Sequence, residues 1–361
     1  MNLIIVGNGF DLAHGLKTSY RDFLDDLRKK IYANPENFSN LVYTTQNNTG
    51  IKLKPRIINS KETIYKNEFL RLLNDHVAER RNWSDIEYLY FKLLSSFFDN
   101  HDIKGAFKVD RIHSNPKQLN DDFSLIKAQL EEYLLEEQKR FLEIEALSYF
   151  FSKFNSTKTS VLNFNYTNTV QKYLKSMKNI ELIHIHGELN CSENPMIFGF
   201  AANDIESKKL IDQEDNEFMV NIKKINYKLT DNELRLKQYL DDSLHIDVYI
   251  LGHSCGISDK HILNQIFNHK SVKSIVIFYH NGSEGYTQCA INIDRIIDDY
   301  SKDRQEPPAF TKFFNKPNCS PFIQHNSLDS EISDFKSFIE MRISNYNRRV
   351  ESQSKRYITN L

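Results

Sequence analysis

The chain opens Met1-Asn2-Leu3-Ile4-Ile5-Val6-Gly7-Asn8-Gly9-Phe10-Asp11. The apolar run over residues 2–6 has the length and composition of a strand buried on both faces. It ends in Gly-x-Gly, and helix signals follow. Thr18-Ser19-Tyr20-Arg21-Asp22 sets Ser19 as a cap three residues before Asp22, a variant of the capping box. Phe23, Leu24, Leu27 and Ile31 then recur at helical spacing. A glycine loop between a buried strand and a helix is how nucleotide-binding α/β proteins bring backbone N–H groups up to a phosphate.

The same alternation resumes later in the chain. Strands are expected at Thr159–Phe164, Glu181–Ile185, His245–Leu251 and Val272–Tyr279, with Met196–Phe200 a short strand or extended segment. Helices are expected at Thr169–Met177, Ser258–His269 and Gly285–Tyr300, and residues 205–241 read as polar, charged and helical. Strands alternating with helices imply a parallel sheet covered on both faces. Between the first strand and the second lies a different kind of sequence. Residues 34–60 are rich in Asn, Thr, Ser and Lys and read as an exposed insertion. Lys61 to Leu94 is helical with a break at Asn82–Asp85, residues 99–119 read as loop, and 120–152 as a long amphipathic helix. The expected fold is therefore a Rossmann-like, three-layer α/β domain built from residues 1–33 and 153–300. A helical insertion or lid spans 34–152. A C-terminal tail over 301–361 has a loop at 303–326, broken by Pro307, Pro308, Pro317 and Pro321, and a polar helix from Asp329 to Arg349.

Bulk properties exclude several classes. The 361 residues carry 47 basic and 48 acidic side chains, scattered along the chain, which gives no electrostatic case for nucleic acid or an anionic membrane. Cys191, Cys255, Cys289 and Cys319 form no C-x-x-C pair, so neither a zinc site nor a disulfide framework is expected. Reduced thiols suit a cytoplasmic protein. No apolar run approaches the roughly 20 residues that span a bilayer, and no signal segment is expected.

Four polar clusters fall at expected strand ends: Gly7 to Asp11, Asn163-Phe164-Asn165-Tyr166-Thr167, His184-Ile185-His186-Gly187-Glu188, and Gly252-His253-Ser254. In a parallel sheet these ends share one rim, where α/β proteins place ligands. Leu12 stands where the hydride-transfer fingerprint G-x-G-x-x-G needs its third glycine, so that fingerprint fails. Asp11 could accept from a ribose hydroxyl or cap the following turn. Asn163 and Asn165, two apart, point to one face, where Asn165 could hold a ribose hydroxyl or a water, or both could serve a turn. His184 and His186 also share a face. His186, before the flexible Gly187, is the better general base, since imidazole titrates near working pH. A metal pair is not favoured, because no third ligand accompanies the two histidines. A small-residue loop at Gly252-His253-Ser254 suits an anion or ribose, while Ser258 and Asp259 could cap the next helix. His14, Trp83, Asp85 and Glu87 could line the opposite wall of a cleft, although Trp83 reads better as a packing anchor.

These residues carry a resemblance. Gly7 through Leu16 with Thr18-Ser19-Tyr20, Trp83-Ser84-Asp85-Ile86-Glu87, Asn163 through Thr169, His184-Ile185-His186-Gly187, and Gly252-His253-Ser254 with Asp259 resemble the bacteriophage abortive infection AbiH family. More distantly, the order of motifs is similar to the sirtuin superfamily. That likeness implies a sirtuin-like pocket in which Gly7–Gly9 meet the phosphates of NAD. It also implies Asn165 at the nicotinamide ribose, His186 as the catalytic histidine, and Gly252–Ser254 on the adenosine side. The chain lacks the four-cysteine zinc module of deacetylating sirtuins. Its first loop carries Asn8 and Phe10-Asp11 where a sirtuin has Ala and, a little later, Ser. Both departures count against protein deacetylation.

The expected activity is hydrolysis of the nicotinamide–ribose bond of NAD in a bacterial phage-defence setting. Catalytic roles fall to His186 and Asn165. Binding roles fall to Gly7, Asn8, Gly9, Phe10, Asp11, Asn163, Gly187, Gly252, His253, Ser254 and Asp259, with no metal. The alternatives are a non-enzymatic sensor of NAD or ADP-ribose and, third, a toxic nuclease. A phage-derived trigger, a partner protein and self-association are compatible with each.

Overall fold

The structure is a computed structural model that describes residues 1–43, 65–75, 83–98, 113–201, 204–301 and 318–342. The first strand, β1 (Asn2–Val6), lies at the centre of a six-stranded sheet with β2 (Thr159–Asn163), β3 (Ile180–His184), β4 (Ile246–Leu251), β5 (Val272–Tyr279) and β6 (Ser320–Pro321). All pairings are parallel, in the order β3-β2-β1-β4-β5-β6. The chain thus steps outward from β1 to β3, returns to the other side of β1, and steps outward again. The strand order reverses between β1 and β4, where doubly wound sheets open their ligand crevice at the carboxyl ends. The fold is α/β and Rossmann-like, as expected.

Alternating side chains of β1 serve two cores. Leu3 and Ile5 join one cluster with Leu162, Ile183, Val248, Ile250 and Ile277. Ile4 and Val6 join the opposite one with Val161, Tyr249, Leu251 and Val276. Period-two alternation with both faces covered explains why the strand reads as one apolar run.

The helices follow from their caps and stripes. After β1 come α1 (Asn8–Ala13) and α2 (Tyr20–Ala33). Ser19 caps α2, accepting from the Asp22 N–H, and Tyr20, Phe23, Leu24, Leu27 and Ile31 form its buried stripe. The intervening block holds α3 (Glu68–Asp75), α4 (Trp83–Ser95), α5 (Pro116–Glu137) and α6 (Glu145–Ser152). Helix α5 begins at Pro116, inside the stretch expected to be loop. The Asn115 side chain accepts the Gln118 N–H, and Pro116 fits the first helical position, where its missing donor costs nothing. The expectation for residues 44–60 lies outside the described residues.

Further helices are α7 (Thr169–Leu174) between β2 and β3; α8 (Asp204–Ile211), α9 (Lys223–Asn226) and α10 (Asn232–Asp241) between β3 and β4; then α11 (Lys260–Phe267) and α12 (Gly282–Ser301). Met196–Phe200 is extended, with Phe200 bridging Ile222, but joins no strand of the sheet.

A third core lies off the sheet. It gathers α2, Leu41, Val42, and residues of α3, α4 and α5 with Met196, Phe198, Phe200, Phe218 and Ile222. This helical cap draws on α2 and on residues 196–222 as well as on the expected insertion, whose last part, Ile144 with Ala146, Leu147, Phe150 and Phe151 of α6, packs under the sheet instead. Nor does the C-terminal stretch stand apart. Phe322, Ile323, Phe335 and Ile339 pack under the sheet, and residues 329–342 are helical. The expected loop at 303–326 contains a strand, β6. Its Pro321 lacks a donor for the ladder and is tolerated because β6 is the edge. Among the described residues no helix is long and apolar enough to cross a membrane.

Candidate active site

The carboxyl ends of β1 and β4 meet in backbone contact. Gly7 N–H donates to the Leu251 carbonyl at 3.1 Å, and Gly9 N–H to the Gly252 carbonyl at 2.8 Å. A Cβ on Gly7 would stand 2.6 Å from the His253 Cα, and one on Gly252, whose φ is +65°, would stand 2.3 Å from the Phe10 nitrogen. The glycines are therefore required by two loops that cross without side chains between them. The Phe10 N–H is also used internally, on the Gly7 carbonyl. Three N–H groups of the loop thus serve the fold.

This crossing fixes His253. Its Nδ1 accepts the Cys255 N–H at 2.9 Å, and its Nε2 lies 3.3 Å from Asp259 Oδ2. Phe164, from the end of β2, packs its ring on His253 and on His186, with centroids 4.3 and 5.0 Å away. His186 comes from the end of β3, where Gly187 turns the chain at φ +82° against the Pro195 carbonyl. Its Nε2 lies 3.1 Å from Asp259 Oδ1 and 3.0 Å from the Tyr227 hydroxyl. Asp259 sits just before α11 and gathers two imidazoles from two strand ends.

A third donor reaches the same carboxylate. Lys223 Nζ, at the start of α9, lies 3.1 Å from Asp259 Oδ1 and 2.9 Å from Glu87 Oε1 on α4. These side chains are nearly sealed: Lys223 is 3 % exposed, Glu87 4 %, His253 5 %, His186 7 % and Asp259 13 %. A buried ion needs partners of this kind.

The surroundings separate the ionisation of the two carboxyls. Burial raises Glu87 to about 7, although Lys223 opposes it. Burial also acts to raise Asp259, but Lys223 and the two histidines overcome it and hold this carboxyl well below the usual range. Burial, and then Lys223, lower His186, so its imidazole is neutral near pH 7. Lys223 is held charged above its ordinary value by Asp259 and Glu87 despite its burial.

Other residues expected at the site have different surroundings. Asn165 is close by, its Nδ2 donating to the Gly7 carbonyl at 3.0 Å and its N–H to Asn163 Oδ1 at 3.0 Å. Asn163 Nδ2 turns to His184 Nδ1 and the Thr167 carbonyl, both 3.2 Å away. Asp11 is buried, with Oδ2 accepting the Thr167 hydroxyl at 2.6 Å. Asn8 Oδ1 accepts the Thr18 hydroxyl at 2.7 Å. Phe10 and His14 belong to an aromatic group with Phe151 and Tyr173 under the sheet. Ser254 is exposed, its carbonyl holding Asn292. Trp83 and Asp85 lie on α4, one and two residues before Ile86, with side chains outside the described residues.

Sequence reasoning did not single out Lys223 and Tyr227. Lys223-Lys224 in a charged stretch looks like a solvated face, and nothing local distinguishes the lysine that turns inward. Glu87 did stand among the possible cleft residues. Among the described residues no group of histidine, cysteine and carboxylate side chains is arranged to hold a metal ion.

Fold and centre together define a Rossmann-like α/β protein with a buried histidine–aspartate centre where its strand order reverses. The chain belongs to the bacteriophage abortive infection AbiH family, whose model matches residues 3–281 and so takes in every residue of this centre. Membership indicates a role in bacteriophage abortive infection. A search of curated proteins finds no match.

Proposed function

We propose that this centre hydrolyses the nicotinamide–ribose bond of NAD, and that His186 is its general base. The observation that carries the reading is the His186–Asp259 contact at the carboxyl ends of the parallel strands. An anionic carboxylate on Nε2 fixes the imidazole and directs Nδ1 toward proton transfer, the arrangement by which a buried aspartate serves a catalytic histidine.

The step balances simply. The bond from the ribose anomeric carbon to the nicotinamide ring nitrogen breaks, and its electron pair leaves with neutral nicotinamide. Water adds to the anomeric carbon, and its proton passes to His186 Nδ1. The imidazolium is stabilised by Asp259 until it loses the proton to solvent. Asn165, held on the Gly7 carbonyl, orients a ribose hydroxyl or the attacking water. Since the N–H groups of Gly7, Gly9 and Phe10 are taken, and the faces of the two glycines are filled by His253 and Gly252, the pyrophosphate falls to Asn8. No step requires a metal.

Chromatography of intact nucleotides tests this reading. Wild type and His186→Ala are incubated separately with NAD, ATP and RNA. Nicotinamide release by wild type, reduced ~10²–10⁴-fold in the variant, is the expected result. NAD retained on the protein without release would favour a nucleotide sensor, and loss of RNA with NAD untouched would favour a nuclease.

A further inference from the structure

Lys223 bridges the centre to the helical cap through ion pairs to both sides. Lys223 follows directly after Ile222, a residue of the cap core, and its ammonium stands between Glu87 of the cap and Asp259 of the sheet domain. Both Glu87 oxygens are engaged, Oε1 at 2.9 Å and Oε2 at 3.1 Å from Nζ. The same carboxylate also accepts from the Gly199 backbone. Its position on a cap helix makes it a fastener.

The rings around the centre complete the closure. Tyr227 stacks on His186 at 6.1 Å between centroids, and Phe164 meets its edge at 5.0 Å. Tyr166 covers it from a further side at 6.2 Å, with its hydroxyl tied to the Ile197 carbonyl. Residues 196–200 themselves belong largely to the cap core. With His186 buried, admitting water and a nucleotide to it would require the cap to move away from the sheet, which would part Glu87 from Lys223 or Lys223 from Asp259.

We infer that Glu87–Lys223–Asp259 is an autoinhibitory latch which keeps the cap closed over His186 in the resting protein. The inference rests on the proposed role of His186, but its test does not depend on turnover. A closed state lowers the effective reactivity of a buried group by the fraction of molecules that are open. Removing the latch raises that fraction.

The experiment measures carbethoxylation of His186 by diethyl pyrocarbonate, read by peptide mass spectrometry, with the exposed His280 as internal reference. In Glu87→Gln the His186 rate is expected to rise by about tenfold or more while that of His280 is unchanged. Circular dichroism verifies the fold. Because breaking one half of a buried pair can unfold a protein, the double variant Glu87→Gln, Lys223→Met, which removes both charges at similar length, is measured beside it. An unchanged His186 rate in a folded variant overturns the latch. Nicotinamide release is assayed on the same samples. Faster release together with faster labelling supports latch and hydrolase alike. Faster labelling without release supports the latch and overturns the hydrolase reading. Slower release with unchanged labelling makes Glu87 part of the chemistry and overturns the latch.

Discussion

His186 Nε2 lies 3.1 Å from Asp259 Oδ1, across two segments separated by more than seventy positions in the chain. The histidine lies two residues past β3 and the aspartate immediately before α11, on opposite sides of the central strand. Only the doubling back of the strand order brings them together. Asp259→Asn keeps the shape but loses the charge, so nicotinamide release should fall by ~10²–10⁴-fold. It also leaves Lys223 with Glu87 alone, and breaking part of a buried ion group costs up to about 3–5 kcal/mol. Steady-state assay and urea unfolding of the same preparation separate the two effects. Full turnover in Asp259→Asn would remove the aspartate from the mechanism.

Asp11 supplies a pH dependence of folding. Burial lifts its carboxyl to about 6 from 3.8, although the Thr167 hydroxyl opposes the shift. The folded state therefore holds this proton more tightly than the unfolded chain. The associated stability is present below the unfolded value and is lost as pH rises through about 6. The change amounts to about 3 kcal/mol, from two pKa units at 1.36 kcal/mol each. Asp11→Asn removes the titrating group while keeping an acceptor for Thr167. Urea midpoints between pH 4 and 6.5 should then fall less steeply than in wild type. Equal slopes would show that Asp11 does not hold its proton in the fold.

The crossing of the two loops predicts a backbone effect. Gly252 has φ +65°, and a Cβ there would press into the Phe10 nitrogen at 2.3 Å. Gly252→Ala should cost more than about 1 kcal/mol, the ordinary scale of a glycine substitution, because strain and clash add. Gly256→Ala, where a Cβ would meet the Ser254 hydroxyl at 3.5 Å, should change little. Thermal denaturation of the pair checks this contrast. Similar melting temperatures for the two variants would contradict the tight crossing.

Much of the sheet could be read from residues alone. Val272–Tyr279 matches its expected bounds, and the other expected strands agree to within a residue or two, because each is an apolar run ended by a glycine or a polar turn. The rim of polar clusters could be read for the same reason. Strand order could not, since pairing across β1 and β4 is a long-range choice that local pattern does not encode. The two-residue strand β6 carries a proline and too little pattern to register. Lys223 shows the hardest case. Its inward turn is set by Glu87 and Asp259, both distant in sequence, and a lone charged residue reads as exposed until its partners are in place.

The proposed reaction uses water at the His186 centre to cleave NAD. The most direct measurement is mass spectrometry of the products formed from NAD in heavy-oxygen water by wild type and by His186→Ala. Nicotinamide, together with ADP-ribose carrying one heavy oxygen, is expected from wild type, with formation slowed ~10²–10⁴-fold in the variant. NAD left intact by wild type, or the same products at the same rate from His186→Ala, would contradict it.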